Sequence, residues 1–272
     1  MVVRELKDRS WVVSTQEDHA ELSAQFAAHW GNGKFSKLRP YQSMVFATTY
    51  HDSGYRDWEG NPPINLEKRR PYGLRETAPK FKEYELQAHK RILDWIRDRD
   101  RYAGLLVSTH RTGLWQMRYN SFTSPKGRMR EKSQEIEAVI KELEAKQQEE
   151  KRSLGKAEPN FDQVLWFNYR MLQVFDILSL YFCCDGYMDD KLKQDLVAPV
   201  PVNYESKEEV ELHIIPIDGC SVKIDPYPFD VSPLRVSVRA RKIAAGSYAS
   251  EEEGREVYFK APRDLLSFQL SA

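Results

Sequence analysis

Tyr50-His51-Asp52-Ser53-Gly54-Tyr55 sets an imidazole beside a carboxylate at the end of an apolar helical run and just ahead of a glycine. Both groups suit one divalent cation, because imidazole nitrogen and carboxylate oxygen are borderline and hard donors. Neighbours in mid-helix diverge by about 100°, whereas at a fraying helix end they can converge. His-Asp dipeptides are common, so the pair gains its weight from elsewhere in the chain. His19, His110 and Asp176 fall on the apolar sides of other expected helices, and a buried charge needs a partner.

The elements that must position these residues follow from capping and periodicity. Ser14-Thr15-Gln16-Glu17 reads as a capping box, which starts a helix at about Thr15. His19, Leu22, Phe26, His29 and Trp30 then share a face. Taken alone, His19 is a core histidine bonded to a carbonyl; beside the next helix it becomes a ligand candidate. His29, at the helix end, suits the dipole and reads as structural. Pro40 fits the first turn of a second helix, on which Met44, Val45, Thr48 and Asp52 share a face and which Gly54 ends. A third helix over about 80–98 carries Phe81, Tyr84, Ala88, Ile92, Trp95 and Ile96 on one stripe, with His89 at its edge. Residues 102–112 form a fourth, with Ala103, Leu106, Val107 and His110 on one face, Arg111 next, and Gly113 as its stop. The most apolar helix, from Phe161 to Cys184, has Asp176 in the row Leu165, Tyr169, Leu172, Ser179, Leu180 and Cys183. An aspartate there is costly unless it meets a cation or a donor; Gln173 lies one turn earlier.

The remaining stretches read differently. Residues 56–79 form a long polar loop whose Lys68-Arg69-Arg70 is a solvated charge run, or else meets an anionic substrate. Residues 128–152 are dominated by Glu, Lys, Gln and Arg, with a thin seam of Ile136, Val139, Ile140 and Leu143. Such a helix protrudes as an arm or an oligomer contact. Beyond about residue 195 the text turns β-like, with Glu211–Pro216, Ser221–Asp225 and Leu234–Arg241 as strands, and Val257-Tyr258-Phe259 and Leu266–Leu270 as further ones. His213 lies in one of these strands and has no assigned role. The expected fold is mainly α: a bundle of about five to seven helices with a protruding charged helix and a small C-terminal antiparallel β-sheet, α+β overall. The helical domain would cover 1–195, with a charged insertion at 126–158, and a β-rich subdomain 196–272.

Composition narrows the partners. Lys+Arg and Asp+Glu are 41 each, so no global field favours nucleic acid or an anionic membrane. No apolar run is long enough to span a bilayer, and the N-terminus has no apolar segment of a signal peptide. Three cysteines make no disulfide framework; Cys183 and Cys184 read as reduced core fillers of a cytoplasmic protein.

In chain order, His19, His51-Asp52, His89, His110 and Asp176 resemble the HD-domain superfamily of metal-dependent phosphohydrolases. There, a histidine, a His-Asp pair and a late aspartate on successive helices bind a divalent metal. The resemblance implies an HD-like helical bundle with His19, His51, Asp52 and Asp176 as ligands. His89 and His110 would complete a second site, as in two-metal members, with Asp52 as the bridge. Tyr55 stands where many such proteins carry a lysine or histidine. More narrowly, Gln16–Gln25, His51–Trp58, Tyr102–His110, Leu172–Tyr181 and Asp225–Phe229 resemble domain of unknown function 3891, a family that brings no established activity. The reading so implied is hydrolysis of a small phosphoester or nucleotide with one or two ions of Fe, Mn, Mg or Zn. Asp52 and Arg111 are its catalytic residues, and Tyr55, Lys68, Arg69, Arg70, Arg111 and Gln173 contact the anionic substrate. Ligand type does not separate this from a di-iron oxygenase of the same fold. A third alternative is a non-catalytic protein whose metal serves stability and whose sheet and charged helix bind partners.

Overall fold

The computed structural model describes residues 1–74, 76–116, 133–184, 197–206, 208–244, 246 and 248–272. The chain opens with β1 (Val2–Glu5) and β2 (Trp11–Ser14) and enters α1 (Gln16–His29) and α2 (Tyr41–Tyr50). A 3-10 turn over Ser53–Tyr55 leads into α3 (Arg56–Glu59) and a hairpin of β3 (Ile64–Asn65) and β4 (Arg70–Pro71). Then come α4 (Phe81–Arg97), α5 (Arg101–Trp115), α6 (Gln134–Leu154) and α7 (Phe161–Cys183). The last elements are β5 (Val197–Pro201), β6 (Glu209–Pro216), β7 (Ser221–Asp225), β8 (Leu234–Ile243), α8 (Glu251–Lys260) and β9 (Arg263–Ser271).

The sheet overturns the expected fold class. It is a large curled mixed sheet of seven strands, ordered β1-β2-β8-β9-β7-β6-β5, not a small C-terminal antiparallel one on an HD-like bundle. Two strands come from the N-terminus: β2 runs antiparallel to β8, with Val12 opposite Lys242, and β7 runs parallel to β9. Pairing over more than two hundred residues leaves no local trace beyond the short apolar run Trp11–Val13. β2 reaches only the last residues of β8, from Arg241 to Ile243. Upstream, the Gln25 amide of α1 stands in for a strand, donating to Ser237 O (2.8 Å) and accepting from Ser237 N (2.9 Å). One core runs from the helices into the sheet: Phe182 of α7 stacks near Phe26 of α1 and Phe268 of β9, with ring centroids 5.9 and 4.9 Å apart.

Other local expectations also shift. The capping box is formed by Thr15 and Asp18, whose carboxylate bonds both the Thr15 amide and hydroxyl. Gly113 does not end α5, which runs on to Trp115. Val257-Tyr258-Phe259 is helical, because Ser250 caps α8 and Glu251, Glu252 and Glu253 fill its first turn. The charged helix α6 does not protrude. It lies along α5, burying Ile140 and joining Gln147 Nε2 to Ser108 Oγ at 2.9 Å and Arg101 to Glu150 at 2.7 Å. Residues 126–132 of the expected insertion lie outside the described residues. Cys183 and Cys184 are buried free thiols, and Cys220 is exposed.

Candidate metal centre

His19 lies one turn into α1, with its ring buried against α7. His51 follows the last residue of α2 in helical conformation, and Asp52 (φ −116°, ψ 10°) leaves it. That change of backbone at the helix end lets neighbouring side chains turn to one point. α5 contributes His110 and Arg111, and α7 contributes Asp176 and Ser179. All of these side chains are buried.

The hydrogen bonds fix which nitrogen of each imidazole faces the centre. Ser179 Oγ donates its hydrogen to the Asp176 carbonyl (2.7 Å), so it accepts from His19 Nδ1–H (2.8 Å). His51 Nδ1–H donates to the Thr48 carbonyl (2.7 Å), which can only accept. In both neutral rings Nε2 therefore presents a lone pair. The Nε2 of His19 lies 3.1 Å from Asp52 Oδ2. The Nε2 of His51 lies 3.8 Å from the same oxygen and 3.6 Å from Asp176 Oδ1, just beyond hydrogen-bond distance, and makes no hydrogen bond among the described residues. Four electron-pair donors thus face one another, an arrangement that only a proton or a cation resolves. Ligand atoms of His19, His51 and Asp176 lie within 4.8 Å of one another. Ligands held at about 2.1 Å from one ion are separated by roughly 3 to 3.5 Å, so the spacings fit a coordination shell opened slightly. Fixing Nδ1 on a hydroxyl or carbonyl is also how metal-binding histidines are oriented.

The surrounding charges reinforce the donor set. Burial opposes the Asp52 carboxylate, but His51, Arg111 and His19 together hold its pKa well below the usual carboxylate range. Asp176, likewise buried, is lowered to about 2 by His51, His19 and His110. Burial would lower the His51 imidazole, but the Asp52 and Asp176 carboxylates outweigh it and raise its pKa. His110 is different: burial lowers its pKa to about 3 despite Asp176, so it is neutral at pH 7, with Nε2 3.8 Å from Asp176 Oδ2. Arg111 grips Asp52 Oδ1 through Nη2 at 2.6 Å and reaches the Tyr55 hydroxyl at 3.4 Å.

The structure sorts the sequence candidates into three groups. His19, His51, Asp52, His110, Arg111 and Asp176 converge. His89 is set back from them by Tyr55: its Nε2 meets the Tyr55 hydroxyl at 3.0 Å and lies 3.8 Å from Glu85, and burial lowers its pKa to about 4. Tyr55 therefore joins His89 and Glu85 to Arg111. Two residues of the basic triplet pair with one acid. Lys68 and Arg70 bond Glu76 at 2.5 and 2.6 Å, Arg70 also lies over Trp11, and Arg69 occupies a left-handed turn (φ 57°) of the β3–β4 hairpin. Gln173 is buried on α7, and its Oε1 accepts from Arg170. Sequence reasoning missed the tautomer-setting role of Ser179 and the acid Glu85. Ser179 had a signal, one turn after Asp176 on the same face; Glu85, on an otherwise charged stretch, had none.

The arrangement defines a helix-and-sheet protein with a buried His–Asp constellation between α1, α2, α5 and α7. The family described as protein of unknown function (DUF3891) matches residues 1–245, and the chain belongs to it. No curated protein and no solved structure matches the chain. Among the described residues, no helix is long and apolar enough to cross a membrane.

Proposed function

We propose that the chain hydrolyses a small phosphoester with a divalent cation held by His19, His51, Asp52 and Asp176. The single observation that carries this reading is the buried His51 Nε2, fixed as a lone pair by the Thr48 carbonyl and without a donor among the described residues. When bound, such a cation supplies a Lewis acid and lowers the pKa of a coordinated water.

The chain's own residues do the rest. Asp52 holds its place because Arg111 binds the oxygen turned away from His19. The guanidinium is planar and offers further N–H donors to phosphoryl oxygens, the geometry in which arginine outperforms lysine. His110 stays neutral through burial, so it adds a nitrogen ligand or a hydrogen bond beside Asp176 without first releasing a proton. Asp176 itself is kept ionised across the whole physiological range.

The test is elemental analysis of protein purified without chelator, followed by turnover of bis(p-nitrophenyl) phosphate and p-nitrophenyl phosphate with Mn2+, Mg2+, Zn2+ or Fe2+. The expected result is near-stoichiometric metal and turnover abolished by Asp176→Asn. Absence of metal uptake under all four ions refutes the site. Bound iron with an oxygen-dependent spectral change and no phosphoester turnover refutes hydrolysis in favour of oxygenation.

A further inference from the structure

α4 reaches Arg111 through Tyr55, and Tyr55, Glu85, His89 and Arg111 are all buried. Arginine has donors only, so the Tyr55 hydroxyl accepts from Arg111 Nη1 (3.4 Å) and turns its own hydrogen away from it. On that far side α4 offers two partners one turn apart, His89 Nε2 at 3.0 Å and Glu85 Oε1 at 3.4 Å. The phenol ring is fixed as well. It stacks on Phe81 with ring centroids 5.9 Å apart and 7° between the planes, and His89 stands edge-on to it at 5.2 Å. Arg111 needs such a second hold. Its bond to Asp52 is single, Nη2 to Oδ1 at 2.6 Å, not the paired fork in which arginine often meets a carboxylate. One bond leaves the guanidinium plane free to swing; a second, at the other terminal nitrogen, fixes it.

We propose that Tyr55, backed by His89 and Glu85, is a positioning residue for Arg111: it fixes the guanidinium plane, so that the N–H groups bonded neither to Asp52 nor to Tyr55 are presented to an oxyanion. His89 takes no part as a ligand in this arrangement. Its imidazole is braced on one side by the Trp115 ring (centroids 5.3 Å apart) and spends its Nε2 on the phenol. The orientation of Arg111 stands on these contacts alone, whereas its consequence for turnover rests on the phosphoester reading above.

The experiment is NMR of the Arg111 side chain in the full ¹⁵N-labelled chain, with turnover of bis(p-nitrophenyl) phosphate measured on the same samples. The Arg111 signals are identified by their disappearance in Arg111→Lys. A guanidinium held at both terminal nitrogens rotates slowly about Cζ–Nε and gives separate Nη1 and Nη2 signals. Tyr55→Phe keeps the ring and removes the hydroxyl. Rotation should then quicken about 10-fold, the rate equivalent of one lost hydrogen bond, and the two signals merge. Turnover should fall about 10-fold through misplacement of the guanidinium, with bound metal unchanged. His89→Gln, whose amide can stand where Nε2 stood, should keep the signals separate, whereas His89→Leu should merge them; this pair decides the matter should Tyr55→Phe fail to fold. The proposal is overturned if the signals are already merged in the wild type, if they stay separate in folded Tyr55→Phe (or in His89→Leu where that variant stands in for it), or if an ester that the wild type hydrolyses is hydrolysed equally well by Tyr55→Phe. Signals that merge in Tyr55→Phe, in a chain whose wild type turns over no ester with any of the four cations, would uphold the positioning and refute hydrolysis.

Discussion

Ser179→Ala isolates the feature on which the metal reading turns, the tautomer of His19. In the native protein the fully buried hydroxyl accepts from His19 Nδ1–H at 2.8 Å while donating to the Asp176 carbonyl. Alanine leaves the ring two choices. It can keep Nδ1–H and bury an unmatched donor, at about 1–3 kcal/mol. Or it can move the proton to Nε2, where Asp52 Oδ2 waits at 3.1 Å as an acceptor. Without a cation the second choice is downhill, so the empty variant should lose little stability, within about 1 kcal/mol by urea titration. With a cation the Nε2 lone pair must be restored, and the unmatched Nδ1–H returns as a cost to binding. That cost corresponds to roughly 10- to 100-fold weaker affinity, the scale typical of groups that orient a metal-binding histidine. Competition for Mn2+ or Zn2+ against a chromophoric chelator at pH 7.5 measures it directly. An affinity within threefold of wild type, in a variant of normal stability, would show that His19 Nε2 is not a ligand and would refute the argument.

Asp52→Asn should cost about 3–5 kcal/mol in urea denaturation, because it leaves the buried Arg111 guanidinium without its carboxylate, whereas Asp176→Asn, which has no such cation to strand, should abolish metal uptake at a smaller loss. Gly54→Ala should destabilise by about 1–3 kcal/mol, since its Cβ would stand 2.9 Å from the Ala88 carbonyl oxygen and 3.1 Å from Ile92 and force the Ser53–Tyr55 turn off α4; thermal melting checks this. His89 is held neutral with its pKa lowered to about 4, below its ordinary 6.5, so the unfolded chain takes up the proton first. Its stabilising contribution is complete above pH 6.5 and is lost as pH falls towards 4, by at most about 3 kcal/mol, and His89→Gln should flatten urea midpoints across that window.

The constellation was legible because each of its members breaks a rule that the rest of its helix obeys. Asp176 interrupts the most apolar row in the chain, and His19 and His110 sit where leucine would serve packing better. A helical phase is local, so the text alone aims these side chains inward. The basic triplet shows the limit of the same logic. Lys68 and Arg70 read as a solvated charge run or an anion contact, and Glu76, which gives no local sign of being their partner, bonds both. The sheet was misjudged for a related reason. β1 and β2 are four residues each, and the pairing of β2 with β8 is specified by a core shared across the chain, not by any nearby residue. The charged helix α6 misled through composition: a few apolar positions suffice when Gln147 can hydrogen-bond into α5 and the acids and bases pair along the rim.

Charge bears on the proposed cation at this centre. Asp52 and Asp176 are both ionised and buried, and Arg111 pairs with Asp52. The two carboxylates explain the direction of the His51 shift. In the metal-free chain the imidazole is drawn towards its protonated form by Asp52 and Asp176, in spite of complete burial. That proton and a metal ion occupy the same lone pair, so they compete. A dication held there in place of the proton would attract a hydroxide or one oxygen of a phosphoester. Metal affinity must therefore weaken as pH falls, with protons released on binding. A purely structural polar network would show no such linkage, because its histidines would already have donors and acceptors matched. The unmatched nitrogen of His51 and the two facing acceptors of His19 and Asp52 are what separate the two descriptions.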